Sequence, residues 1–95
     1  SGKTEVYIHL IAEVLARGGD VLLLAPEIAL TAQLIARMER IFGSRVTPYH
    51  SKLTNRRRTE TYLRLNRSQG GEFVVGVRSS IFLPLKRLQL VVVDE

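Results

Sequence analysis

The chain has 95 residues, a formal net charge of +5, a pI of about 10.2 and 45% hydrophobic side chains. That is one small domain with enough apolar material for a core, which argues against a disordered segment. The lack of cysteine excludes a disulfide framework or a Cys-based zinc site within it, and no apolar run approaches the roughly twenty residues of a membrane span. The basic balance favours a polyanionic partner, nucleic acid above all, although many soluble domains are basic without binding one.

The first four residues, Ser1-Gly2-Lys3-Thr4, match the second half of a P-loop, G-x-x-x-x-G-K-[ST]. In that motif glycines let backbone N–H groups curve around phosphates, the Lys neutralises β/γ oxygens and the Thr hydroxyl ligates Mg²⁺. Ser1, Gly2, Lys3 and Thr4 are therefore candidate nucleotide-binding residues, with Lys3 also catalytic and Thr4 also a metal ligand. A terminus that merely contains Gly-Lys-Thr is the competing reading. From Thr4 to about Arg17 apolar residues recur at steps of three and four, so a helix is expected. Val6, Ile8, Leu10, Ile11, Val14 and Leu15 spread widely around it, which predicts cover on more than one side. His9 reads as a surface or packing histidine. Gly18-Gly19-Asp20 ends the helix, glycine being suited to the position after a C-cap.

Val21–Ala25 is a short apolar run, read as a buried strand that Pro26 stops. A loop Pro26–Ala29 follows. Thr31 is a candidate N-cap for a helix to about Phe42, with Leu30, Leu34, Met38 and Ile41 on one face. Arg45–His50 reads as a third element, a strand that Pro48 makes an edge or irregular one. Thr54 or Asn55 caps a helix to about Arg67 whose apolar face is narrow, limited to Tyr62, Leu63 and Leu65. Its arginines, Arg56, Arg57, Arg58, Arg64 and Arg67, read first as a solvated face and second as a phosphate-contacting one. After the turn Gln69-Gly70-Gly71, Phe73–Val77 is another buried strand. Arg78 and Ser79 stand at its carboxyl end, where α/β sheets present functional loops and where Arg suits phosphate.

Leu90-Val91-Val92-Val93-Asp94-Glu95 has the form of a Walker B strand: a continuous apolar run, as in buried parallel strands, closed by two carboxylates. Asp94 is the candidate Mg²⁺ residue and Glu95 the candidate base for the attacking water. Helix, strand, helix, strand, helix, strand, strand argues for a parallel sheet covered on both faces. Right-handed crossovers would place the P-loop and Asp94-Glu95 at one edge of it. The expected fold is thus α/β, a three-layer P-loop NTPase lobe. Both ends fall inside motifs, so residues 1–95 read as an excerpt of one ATP-binding lobe, from within the Walker A motif to the start of Walker B.

Ser1–Tyr7, Pro26–Gln33, His50-Ser51, Arg78–Phe82 and Val92–Glu95 resemble, in order, the motifs of the primosomal replication-restart DNA helicases. The resemblance covers essentially the whole chain, and Pro-Glu-Ile-x-Leu-Thr is its discriminating stretch. It implies the first RecA-like lobe of a superfamily 2 helicase that couples ATP hydrolysis to 3′→5′ movement on DNA at stalled forks and helps reload the replicative helicase. It implies ATP and Mg²⁺ as cofactors, zinc in a region outside this chain, and a bacterial cytoplasmic location without a membrane. The implied partners are forked and single-stranded DNA, primosome proteins and single-strand-binding proteins. Carried over by position, Gly2, Lys3 and Thr4 bind ATP and Mg²⁺, and Asp94 and Glu95 open the D-E-x-H box. Pro26–Thr31 and Arg78-Ser79 line the DNA track, giving Pro26, Thr31, Arg78 and Ser79 as nucleic-acid residues. The chain departs from the family pattern at Ala29, Ala32, Lys52 and Val77. Lys52 for the usual Gly predicts a loop free of any left-handed requirement, or a strained one.

The alternatives are another DNA-stimulated superfamily 2 ATPase or translocase, and a basic α/β module that binds nucleic acid without hydrolysis. The 95 residues alone carry half a phosphate nest, so they are expected to hydrolyse little or no ATP.

Overall fold

Helix α1 (Gly2–Ala16) turns into strand β1 (Asp20–Leu24) through Gly18, whose φ of 84° is the left-handed conformation that ends a helix without a Cβ penalty. The computed structural model describes residues 2–30 and 32–94, and for residues 2–4 the backbone alone. Helix α2 (Ala32–Phe42), strand β2 (Val46–Tyr49), helix α3 (Asn55–Arg67), strand β3 (Phe73–Gly76) and strand β4 (Leu88–Val93) follow. Short 3₁₀ turns lie at Gly43–Arg45 and Arg78–Phe82. The N-cap of α3 is Thr54, whose Oγ1 accepts the Arg57 N–H at 3.1 Å. The expected cap of α2, Thr31, lies outside the described residues.

The sheet order is β2-β3-β1-β4 and every pairing is parallel. Pro48 sits opposite Val75 on the edge strand β2, the position that tolerates a missing N–H. Alternation along the strands splits the core in two. Val21, Leu23, Phe73, Val75 and Val92 pack with Ile11, Leu15 and Met38 from α1 and α2. Leu22, Leu24 and Val74 pack on the other face with Leu65 of α3 and Leu83. Phe42 meets Phe73 edge-on at 5.2 Å between ring centroids, a favoured aromatic geometry. This is the three-layer α/β architecture of a RecA-like lobe.

Four elements bury less than the apolar pattern predicts. Strand β4 reads as a continuous buried run, yet Val92 alone is buried while Leu88, Val91 and Val93 are exposed, because β4 is the edge of the described sheet. On α1, Ile11 and Leu15 are buried while Val6 and Leu10 are exposed, so one side of the helix is covered and not several. On α2, Ile41 is exposed and Phe42 packs in its stead. On α3, Leu65 is buried whereas Tyr62 and Leu63 are exposed. Periodicity marks apolar residues; it does not say how many neighbours are present to cover them.

Asp20 fastens the amino ends of the strands. Its buried carboxylate accepts the N–H of Glu72 at 2.9 Å and of Arg87 at 3.0 Å, just before β3 and β4. Read from sequence, it merely closed a helix turn.

Candidate nucleotide and nucleic-acid edge

Parallel strands send all their carboxyl ends to one edge, so the loops after β1, β2 and β3 and the residue after β4 emerge together. Backbone bonds carry the ladder past the strand ends. The Ala25 N–H reaches the Gly76 carbonyl at 3.0 Å, Val77 reaches Tyr49 at 3.1 Å and Asp94 reaches Leu24 at 2.8 Å. The loop after β1 closes on itself, with the N–H groups of Ala29 and Leu30 both donating to the Pro26 carbonyl. These bonds fix the main chain beneath Pro26, Arg78 and Asp94.

Those three residues line one groove of about 280 Å³, with Ile81 and Val93 as its apolar wall. Ser79 lies outside it and lines a neighbouring cavity of about 160 Å³ with His50, Ser51, Arg58 and Glu27. Helix α1 packs against β1 and β4. It enters the amino end of β1 through a tight turn, so it runs opposite to the strands and starts toward the same carboxyl edge as Asp94. The backbone of Gly2, Lys3 and Thr4 forms its first turn. A helix start offers unpaired N–H groups and a positive dipole end to an anion. The side chains of Lys3 and Thr4, and residues Ser1, Thr31 and Glu95, lie outside what the structure describes.

A divalent cation fits this edge. Asp94 is a hard oxygen donor just past the end of β4, half-buried and held by its own N–H. Among the described residues no three His, Cys, Asp or Glu side chains gather. Mg²⁺ is commonly held by one or two carboxylates and the nucleotide's own phosphates, which is what a single aspartate here allows.

The turn after β3 has a threefold period, as 3₁₀ geometry requires. Ser80 and Leu83 face inward and are buried. Arg78 and Ile81 face the groove. Ser79 and Phe82 form the third row, both exposed. Ser80 packs so closely beneath the strand end that only glycine fits at position 76, where an added Cβ would lie 2.1 Å from Ser80 Oγ.

The arginine run of α3 is not uniformly solvated. Arg64 bonds Glu72 at 2.8 Å and the Thr47 hydroxyl at 2.5 Å. Arg58 donates from Nη2 to the Ser51 carbonyl at 2.7 Å, with its Nε buried and without a partner among the described residues. Arg56 is a surface partner of Glu60 at 3.6 Å. Arg58 stands seven residues before Leu65, on the same side of the helix, and that spacing was the available signal for its inward turn. Lys52 adopts no left-handed conformation, since no described residue other than glycine has positive φ. Its N–H instead bonds His50 Nδ1 at 3.2 Å, so the loop needs no glycine there.

The family model for DEAD/DEAH box helicases matches residues 1–95. Over all 95 residues the chain is 47% identical to replication restart protein PriA of Helicobacter pylori strain 26695, 46% to that of Rickettsia conorii and 40% to that of Bacillus subtilis. It spans 15%, 14% and 12% of the length of those three proteins.

Proposed function

This chain belongs to the DEAD/DEAH box helicase family, and from that membership we propose that it is the ATP-binding lobe of an ATP-dependent 3′→5′ DNA helicase acting in replication restart and primosome assembly. The observation that carries the proposal is the shared groove: Asp94, Pro26 and Arg78, from three separate loops, line one cavity at the carboxyl edge. The similarity to three replication restart proteins supports a role in restart rather than in another translocase process.

Bound Mg·ATP would supply the phosphoryl electrophile and the charge that neutralises its oxygens. The residues of this chain hold and orient. Main-chain N–H groups at the start of α1 and the Lys3 ammonium receive the β/γ-phosphates, and the Thr4 hydroxyl and Asp94 carboxylate take the cation. Glu95 accepts the proton of the attacking water, a general-base role worth typically ~10²–10⁴ in rate. Pro26, Thr31, Arg78 and Ser79 meet the DNA, Arg78 through a phosphate. Fork DNA, primosome proteins and single-strand-binding proteins are the proposed partners.

The test uses the full-length protein on duplexes with a 3′ or a 5′ single-stranded tail. DNA-stimulated ATP hydrolysis and strand separation on the 3′-tailed duplex, both abolished by Lys3→Ala, are expected. Separation that persists in Lys3→Ala, or that needs a 5′ tail, overturns the reading.

A further inference from the structure

We propose that Phe82 is a stacking platform for a base of single-stranded DNA, placed by the 3₁₀ turn one row away from the phosphate-contacting Arg78. The inference rests on the reading of the carboxyl edge as a DNA track and adds to it a residue with a different chemistry.

The turn Arg78–Phe82 sorts its side chains into three rows. The Ser80–Leu83 row is buried and anchors the turn to β3 and to the α3 side of the core. The Arg78–Ile81 row faces the groove with Asp94. The remaining row holds Ser79, beside the cavity that contains His50 and Arg58, and Phe82, which is 80% exposed and belongs to neither core cluster. A phenylalanine that exposed contributes little apolar burial to the fold. It also stands in the same short turn as an exposed arginine, on a chain of net charge +5. Single-stranded nucleic acid is bound by this pairing: cations track the backbone while aromatic rings take the faces of successive bases. The rigid seat matters too. Ser80 packed on Gly76 and the Leu83 N–H bonded to the Ser80 carbonyl at 3.1 Å fix the turn, so little motion is frozen when a base arrives.

Stacking requires an aromatic face and is indifferent to salt; a phosphate contact is the reverse. In the full-length protein, binding of a labelled oligo(dT) is measured by anisotropy across a salt series without nucleotide, together with the melting temperature. Phe82→Ala is expected to weaken binding roughly 5- to 150-fold with the salt slope unchanged. Phe82→Tyr should retain most of the affinity, Phe82→Leu should not, and all three should melt with the parent. Arg78→Ala should weaken binding and flatten the slope by about 0.7. The inference is overturned if Leu serves as well as Tyr, if Phe82→Ala binds like the parent, or if Phe82→Ala lowers the melting temperature and Leu restores it. The last result would mean that the ring packs against protein. If Arg78→Ala also leaves affinity and slope unchanged, the DNA-track reading itself fails.

Discussion

Gly76 and Ser80 interlock: a Cβ at Gly76 would lie 2.1 Å from Ser80 Oγ and 2.6 Å from the Tyr49 carbonyl oxygen. The second neighbour is backbone of the adjacent strand and cannot swing aside. The turn that presents Arg78 is therefore set by the absence of a side chain at the strand end beneath it. Gly76→Ala should destabilise by about 1–3 kcal/mol, the usual cost of overpacking, and should weaken DNA binding by displacing Arg78. Ser80→Ala should cost little, because the buried hydroxyl has no partner among the described residues. Thermal unfolding and DNA anisotropy of both variants check the pair. Equal losses in both would contradict this account.

At the opposite edge, Asp20→Ala should cost about 2–3 kcal/mol, since two partly buried N–H groups lose their charged acceptor at once. Hydrogen exchange offers the direct measurement. The amides of Glu72 and Arg87 should exchange faster, while those of Ala25 and Val77, at the far ends of the strands, should change least.

The two carboxylates of the Walker B stretch should separate by role. Strand β4 ends at Val93, so Asp94 already stands past the pleat. Asp94→Ala should lower the Mg²⁺-dependent part of ATP affinity. Glu95→Gln should bind Mg·ATP like the parent and lose single-turnover hydrolysis by ~10²-fold or more. Hydrolysis at the parent rate in Glu95→Gln would remove Glu95 as the base.

The arginines of α3 should divide as well. Arg57→Ala should leave DNA affinity within about twofold, as for a solvated surface charge. Arg64→Ala should lower stability by about 1 kcal/mol through its bonds to Glu72 and Thr47, without altering the salt dependence of DNA binding. A melting curve and a salt titration for each variant separate the two effects.

Much of the fold was legible in the sequence. Continuous apolar runs mark β1 and β3, which are buried along their whole length; the run of β4 marks a strand but not its burial, since β4 is an edge strand with Val92 alone buried. Gly18, Thr54 and Pro26 punctuate the elements by local backbone chemistry alone. What was not legible depends on residues far apart in the chain. Asp20 has its acceptors satisfied by Glu72 and Arg87, 52 and 67 residues away, and no local pattern announces such bonds. Arg58 looked like its neighbours because charge runs report composition and not rotation about the helix. The threefold rows of residues 78–83 escaped notice because a 3₁₀ turn this short carries less than two periods. That Pro26, Arg78 and Asp94 follow strand ends was readable from the alternation of apolar runs and breakers. The side chains of Lys3 and Thr4, with Ser1, Thr31 and Glu95, lie outside the described residues.

The strand order has a consequence for synthesis. During translation β1 emerges well before either of its neighbours, β3 and β4, with two helices and β2 in between. No hairpin is available to hold it, and β2 never touches it. An apolar pentapeptide, Val21–Ala25, must therefore wait unpaired until Phe73–Gly76 has left the ribosome. Non-local parallel pairing of this kind is slow and leaves sticky intermediates. The ribosome-bound chain should accordingly depend on holding factors over that interval. Slowing elongation between codons 25 and 73 should lower the yield of folded protein, whereas slowing it after codon 93 should not.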